Sequence, residues 1–401
     1  MKRVVAFLVS IATLVTLLMG CVTPAAPTSP VVEETVEVEA EETAEAEVEE
    51  TAEAEKAEAP MLAEKVAAGE LPPLDERLPL DPRVVEGPTG VGIYGGTLKM
   101  LDGQARLSIP HRFTDHGLFG YNIPTSAYHA DVARDWSWND DYTELTIYLR
   151  RGMKWSDGDD LTTDDFLWYW DNVLHNDVLR PNGPGWPWEI EEAMTTLDII
   201  DDYTLKYTFP TPLPAIMDRW GRSSFSSPGQ WFWGPSHWHK QFHADFVDDV
   251  DTLNAAAEAA GFEGDAETPA WVGYFSSKGG QFYNGIQWGD NLDMPTVRPW
   301  NPVEVTQEYI LMERNPYFWM VDTAGNQLPY FDYVRFDAVG DMELYNLKLT
   351  AGDADVAMWF PSFENMELYK ANDADGEYAT LIAQYMNECA GAFAFNLGYQ
   401  E

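Results

Sequence analysis

The 401-residue chain carries 67 acidic against 24 basic side chains, a formal charge of −43, which excludes a phosphate-neutralising nucleic-acid surface and a polybasic hold on anionic lipid. Two cysteines, Cys21 and Cys389, exclude a disulfide framework or a thiolate metal cluster. With 16 Trp, 19 Tyr and 19 Phe there is bulk for a large core, and aromatics remain to line a ligand cleft.

Residues 1–20 read as an export signal, Lys2-Arg3 followed by an apolar run from Val4 to Met19. The run ends in Leu18-Met19-Gly20-Cys21, which resembles the bacterial lipobox. That resemblance implies that Cys21 becomes a lipidated N-terminus carrying the two or more acyl chains that stable anchoring needs. An ordinary secretory signal or an uncleaved anchor is the alternative. Cys389 then reads as a small buried apolar residue.

Residues 21–92 are expected to be a disordered tether. Three copies of an eight-residue acidic unit follow one another: Glu33–Ala40 (EETVEVEA), Glu41–Val48 (EETAEAEV) and Glu49–Lys56 (EETAEAEK). So short and charged a period buries no core and repels itself into an extended arm. A single acidic helix is the alternative, opposed by like charges at close spacing. The Pro-rich LPPLDERLPLDPRVVEGP reads as a stiff connector.

Globular sequence is predicted to begin at about residue 93. Gly95-Gly96 stands outside any GxGxxG or GxxxxGK[ST] pattern, so no nucleotide site is assigned. Leu145, Ile147 and Leu149 alternate with Thr146 and Tyr148, predicting a strand with one apolar face. Trp155-Ser156-Asp157-Gly158 predicts a tight turn. Thr162 with Asp165 three residues later predicts a helix start. Phe166, Tyr169, Trp170, Val173 and Leu174 then form one helical stripe. A further turn and strand are read over Asp201–Phe209.

His237, His239 and His243 have a spacing that metals use, but the preferred reading is a surface helix with partly exposed histidines. The acids at Asp157, Asp159, Asp160, Asp164 and Asp165 do not make a calcium loop, since Leu161 replaces a ligand and glycine is missing at the sixth position. No metal and no cofactor are assigned. Asp245–Ala260 reads as a solvated acidic helix. From Tyr309 to Trp359 the pattern is strand, helix, glycine stop and strand, feeding an open sheet. Ligands bind at the carboxyl ends of such strands. This places Met358, Trp359, Phe360, Pro361 and Phe363 at a cleft edge, with core packing as the alternative for the aromatics.

Several of these segments carry a family likeness. Asp135-Trp136, Tyr148-Leu149-Arg150-Arg151-Gly152-Met153-Lys154-Trp155-Ser156-Asp157-Gly158 and Leu161-Thr162-Thr163-Asp164-Asp165-Phe166 form one block. Gly95-Gly96-Thr97-Leu98, Leu311–Trp319 (LMERNPYFW), Leu328–Phe336 (LPYFDYVRF), Leu347–Ala357 (LKLTAGDADVA) and Gly391–Leu397 (GAFAFNL) accompany it. Together they resemble the family 5 extracellular solute-binding proteins of ABC transporters, which include oligopeptide-, dipeptide- and nickel-binding proteins.

The resemblance implies an α/β fold, a type II periplasmic-binding-protein-like lobe with a mixed open sheet. It implies a main subdomain over 93–120 and about 199–395, an inserted subdomain over about 121–198 and a hinge at about 393–401. The C-terminal lobe is expected to be missing from this chain. The implied function is a non-enzymatic, lipid-anchored receptor at the extracytoplasmic face of the bacterial envelope. It would close on its solute and deliver it as a monomer to a permease and ATPase complex.

Peptides are the expected solute and oligosaccharides the alternative. The residues implied to contact it are Trp359, Phe360, Phe363, His111, Phe113 and Phe393. An enzymatic reading, a secreted glycoside hydrolase with a carboxylate pair, finds no HExxH or GxSxG arrangement beside it.

Overall fold

The first described residues lie where a tether was expected. A computed structural model describes residues 57–102, 116–122, 125–221, 232–265, 267–279, 291–357 and 361–381, all within the unit Glu53–Glu401. Helix α1 (Pro60–Ala67) opens on a proline, where the missing N–H removes no helical bond. A short helix α2 (Leu74–Arg77) and strand β1 (Arg83–Val85) follow. The tether boundary expected at residue 92 is therefore corrected. Leu62, Leu74 and Leu78 are buried, the last two against Val321, and apolar burial outweighs the stiffness of the intervening prolines. Cys21 and the acidic repeats fall outside the described residues.

Strand β2 (Thr97–Asp102) is followed by the hairpin β3 (Phe119–Asn122) and β4 (Ala127–Ala130). Strands β5 (Ala133–Trp138) and β6 (Glu144–Leu149) lead to helix α3 (Thr163–Tyr169), which runs on into a wider π turn, Trp170–Leu174. A two-residue ladder, β7 (Glu189–Ile190) with β8 (Ala193–Met194), precedes β9 (Thr196–Asp201) and β10 (Thr204–Thr208). These build an antiparallel sheet ordered β5-β6-β10-β9.

The alternation in β6 comes out as read: Leu145, Ile147 and Leu149 are all buried. So is the whole stripe Phe166, Tyr169, Trp170, Val173 and Leu174. The capping box of Thr162 and Asp165 is formed. The subdomain boundary expected near residue 198 falls inside β9, whose pairing with β10 carries this sheet on to Thr208.

Helices α4 (Ile216–Gly221), α5 (Ser236–His239), α6 (Val250–Ala259) and α7 (Ala270–Ser277) come next. The second sheet uses β11 (Trp300–Val305), β12 (Tyr309–Arg314), β14 (Tyr333–Ala338) and β15 (Val356–Ala357), with β13 (Met320–Asp322) standing apart as the parallel partner of β1. Its order is β11-β12-β14-β2-β15, antiparallel up to β14 and parallel from β14 through β2 to β15.

Helix α8 (Met342–Thr350) carries the chain from β14 to β15, and α9 (Met366–Ala371) follows. The expected glycine stop is Gly352, at φ +73°, where a Cβ would meet the Gly376 carbonyl oxygen at 2.2 Å. The result is a mixed α/β lobe with open sheets. No helix among the described residues is long and apolar enough to cross a membrane.

Candidate ligand-facing site

The parallel strands β14, β2 and β15 end at Ala338, Asp102 and Ala357, the end of an open sheet where ligands collect. Asp102 is buried there, its carbonyl accepting from Val339 N at 2.7 Å. Beyond β15, Ser362 caps a short 3-10 turn, Phe363–Asn365, its Oγ accepting from Glu364 N at 3.1 Å. The Phe363 ring on that turn is 81% exposed, so core packing does not explain it.

The turn is fixed from below. Ser362 N donates to the Tyr369 hydroxyl at 3.1 Å, and that hydroxyl donates to Asn346 Oδ1 at 2.8 Å. Tyr369 and Asn346, on α9 and α8, are the supports that sequence reasoning missed. Their signal was only a tyrosine four residues past the turn (i+7 from Ser362), which resembles ordinary helix packing. Of the residues expected to touch solute, Phe363 alone is placed. His111, Phe113, Trp359, Phe360 and Phe393 lie outside the described residues.

A second polar centre sits on the Trp155–Asp160 turn. Asp165, read from sequence as a cap, also accepts from the Trp155 indole at 3.0 Å and from Ser236 N at 2.9 Å. It thus bolts the turn and α5 to α3. Burial raises its pKa, opposed by the bonds from Ser236, Trp155 and Thr162.

The three histidines separate into two kinds, which corrects the expectation of partly exposed rings. His239 and His243 are buried. His239 stacks on Trp168 with centroids 6.0 Å apart and meets Phe275 edge-on at 6.0 Å. His243 Nε2 lies 3.0 Å from the Asn172 carbonyl. Burial first, then the charges of His237 and His243, pull the His239 pKa down to about 3 against a pull from the Gly279 backbone. Neutral imidazoles here pack as flat aromatic plates.

His237 instead faces two carboxylates, with Nε2 2.8 Å from Asp157 and Nδ1 3.6 Å from Asp159. Burial pulls its pKa down, but the Asp157 bond and charge, then Asp159, outweigh it and the net shift is upward. The three ligand atoms lie within 4.8 Å of one another. The Nε2–Asp157 contact, with Asp159 at ion-pair distance, staples the turn to α5.

Residues 127–398 match the model of the bacterial extracellular solute-binding proteins, family 5, middle region. The chain belongs to this family. It is 32% identical over 295 residues to the periplasmic alpha-galactoside-binding protein of Rhizobium meliloti, covering 68% of this chain and 37% of that protein. Among solved structures it is similar to oligopeptide-binding protein OppA, with 30% identity and a TM-score of 0.67 over 80% of this chain and 48% of the other. It is also similar to the periplasmic binding protein MelB from Agrobacterium fabrum in complex with stachyose, with 26% identity and a TM-score of 0.58 over 80% and 46%. The chain thus spans less than half the length of each of these family 5 relatives. The Trp155 turn, the α3 cap and the Phe363 turn all fall inside the matched range, whereas α1, α2 and β1 precede it.

Proposed function

We propose that this chain is the solute-capturing part of a lipid-anchored, extracytoplasmic receptor serving an ABC importer, and that its solute is an oligosaccharide of the α-galactoside class. The observation that carries the sugar reading is Phe363, an exposed ring on a capped turn at the carboxyl end of the parallel strands. Such a ring offers a flat apolar face for a pyranose while polar groups around it take the hydroxyls. Two relatives support it, one named for alpha-galactosides and one solved with stachyose.

The peptide expectation takes second place and rests on the likeness to OppA. Trp359, Phe360, His111, Phe113 and Phe393 are proposed as further solute contacts, and Cys21 as the lipidated residue.

Isothermal titration of the purified protein with stachyose, and separately with a pool of short peptides, tests the solute class. Saturable heat with stachyose is expected, weakened about threefold to tenfold by Phe363→Ala, the worth of one aromatic contact. Saturation by peptides alone overturns the sugar reading in favour of the second. Release of a Cys21→Ser variant from the membrane fraction checks the anchor.

A further inference from the structure

By composition residues 57–85 are a connector, yet they hold on to both sheets. Toward the segment that joins β12 to β14, the fully buried Arg77 donates to the Pro316 carbonyl and to Gln327 Oε1 at 3.0 Å and pairs with Glu58. Lys65 Nζ reaches Glu313 Oε1 at 2.7 Å, and Gln327 N donates to the Ala57 carbonyl at 3.0 Å. Toward the four-stranded sheet, Leu80 N donates to the Arg151 carbonyl at 2.9 Å and Arg150 Nη1 to the Asp81 carbonyl at 2.6 Å. Arg83 pairs there with Asp131, a buried carboxylate that also lies 3.0 Å from His116 Nδ1.

A spacer that only adds reach has no use for a buried guanidinium. Taking that charge out of water costs several kcal/mol unless its partners are well placed, and here carbonyls, an amide oxygen and a carboxylate surround it. Along the strap, Ala57–Arg77 bonds to β12 and the segment that follows it, Leu80–Arg83 bonds to the four-stranded sheet, and Arg83–Val85 also pair with β13 within that following segment. A segment fastened to both sheets restrains their relative motion.

We propose that residues 57–85 are a tie that couples the two sheets, so that this segment belongs to the receptor body, which moves as one piece. Ala57 lies beside Tyr94 and Asn326, next to the amino ends of β2 and β14, and the parallel strands end at the opposite, solute-facing side. The tie thus joins the chain to the body away from the candidate site. This inference does not depend on which solute is bound.

Amide hydrogen exchange of the full-length protein, read by mass spectrometry, tests the coupling. Arg83→Ala cuts only the end toward the four-stranded sheet and leaves Asp131 with His116. It is expected to speed exchange several-fold at the distant residues 326–328 as well as at 131–134, and Arg83→Lys is expected to restore most of the protection. Arg77→Lys, cutting the other end, is expected to speed exchange at Leu80 and at 131–134. Acceleration confined to residues touching the substituted side chain, or none at all, overturns the tie. If Arg77→Lys does not accumulate folded, the Arg83 pair decides the matter alone.

Discussion

The block from Leu145 to Leu174 and the strap from Ala57 to Val85 are built from similar letters. Both mix prolines or glycines, acids and scattered large apolar residues, and both are held by a buried polar side chain. In the first, the partners are close in sequence: Trp155 finds Asp165 ten residues away, and Thr162 finds Asp165 three away. In the second they are remote. Arg77 reaches Pro316 and Gln327, 239 and 250 residues on. The contrast teaches that a segment's own pattern reveals its order only when its stabilising contacts are local.

The largest effect is expected where the local block meets the core. Phe166 is fully buried and stacks on Trp233 at a centroid distance of 5.2 Å. Phe166→Ala is expected to destabilise by about 3–5 kcal/mol, the range for a core aromatic that leaves a cavity. Urea unfolding followed by tryptophan fluorescence measures it, and a loss below about 1 kcal/mol would show that this helix face is not core.

Next comes Arg77→Met, which sharpens the contrast directly. As part of a free tether this substitution costs nothing. As observed, it removes a guanidinium and leaves the Gln327 amide oxygen short of a donor and Glu58 unpaired, while the Pro316 carbonyl keeps the Gln327 Nε2 donor at 2.9 Å. About 3 kcal/mol of destabilisation is expected, checked by the same unfolding curves.

Legibility follows the reach of the forces. Strand β6, the α3 cap and the Gly352 stop were readable because alternation, side-chain capping and positive φ are properties of a few neighbouring residues. The long likeness around Trp155 added the family, and with it the open mixed sheet. Buried His239 and His243 were misread, because what makes an imidazole a core plate is Trp168 and Phe275, supplied by helices far away in sequence. The strap was misread for the same reason. At the candidate site, the rule of strand carboxyl ends pointed to Phe363, which is exposed, while the tyrosine and asparagine that hold its turn only become meaningful once α8 and α9 are side by side.

A smaller effect belongs to the cap. Thr162 accepts from Asp164 N, and Asp165 reciprocates toward Thr162 N. Thr162→Ala is expected to cost about 1 kcal/mol, visible as a lowered unfolding midpoint with unchanged slope. Equality with the wild type would mean that the Asp165 bonds to Trp155 and Ser236 hold the helix start without the box.

The smallest effect has the clearest sign. His237 has its folded pKa raised above 6.5, so the stability it contributes is fully present below that value and is lost as pH rises through the folded pKa. Asp157 is shifted the other way: burial raises it, but the His237 bond and charge, then backbone bonds, lower it overall. Its contribution is therefore present above the ordinary carboxylate value and fails only as pH falls through the depressed one. Between these limits the pair is intact, and because both side chains are partly exposed it is worth at most about 1 kcal/mol. His237→Gln is expected to lower stability at about pH 5.5 and to approach the wild type at about pH 8.5. His239 acts with the opposite sign, since a ring held down to about 3 makes the fold less stable as pH drops below 6.5. Replacing it with Phe is expected to flatten that acid limb while leaving the alkaline side alone. A His237→Gln penalty that stays constant across the two pH values would mean that the turn is held to α5 by Asp165 and Ser236, not by the ion pair.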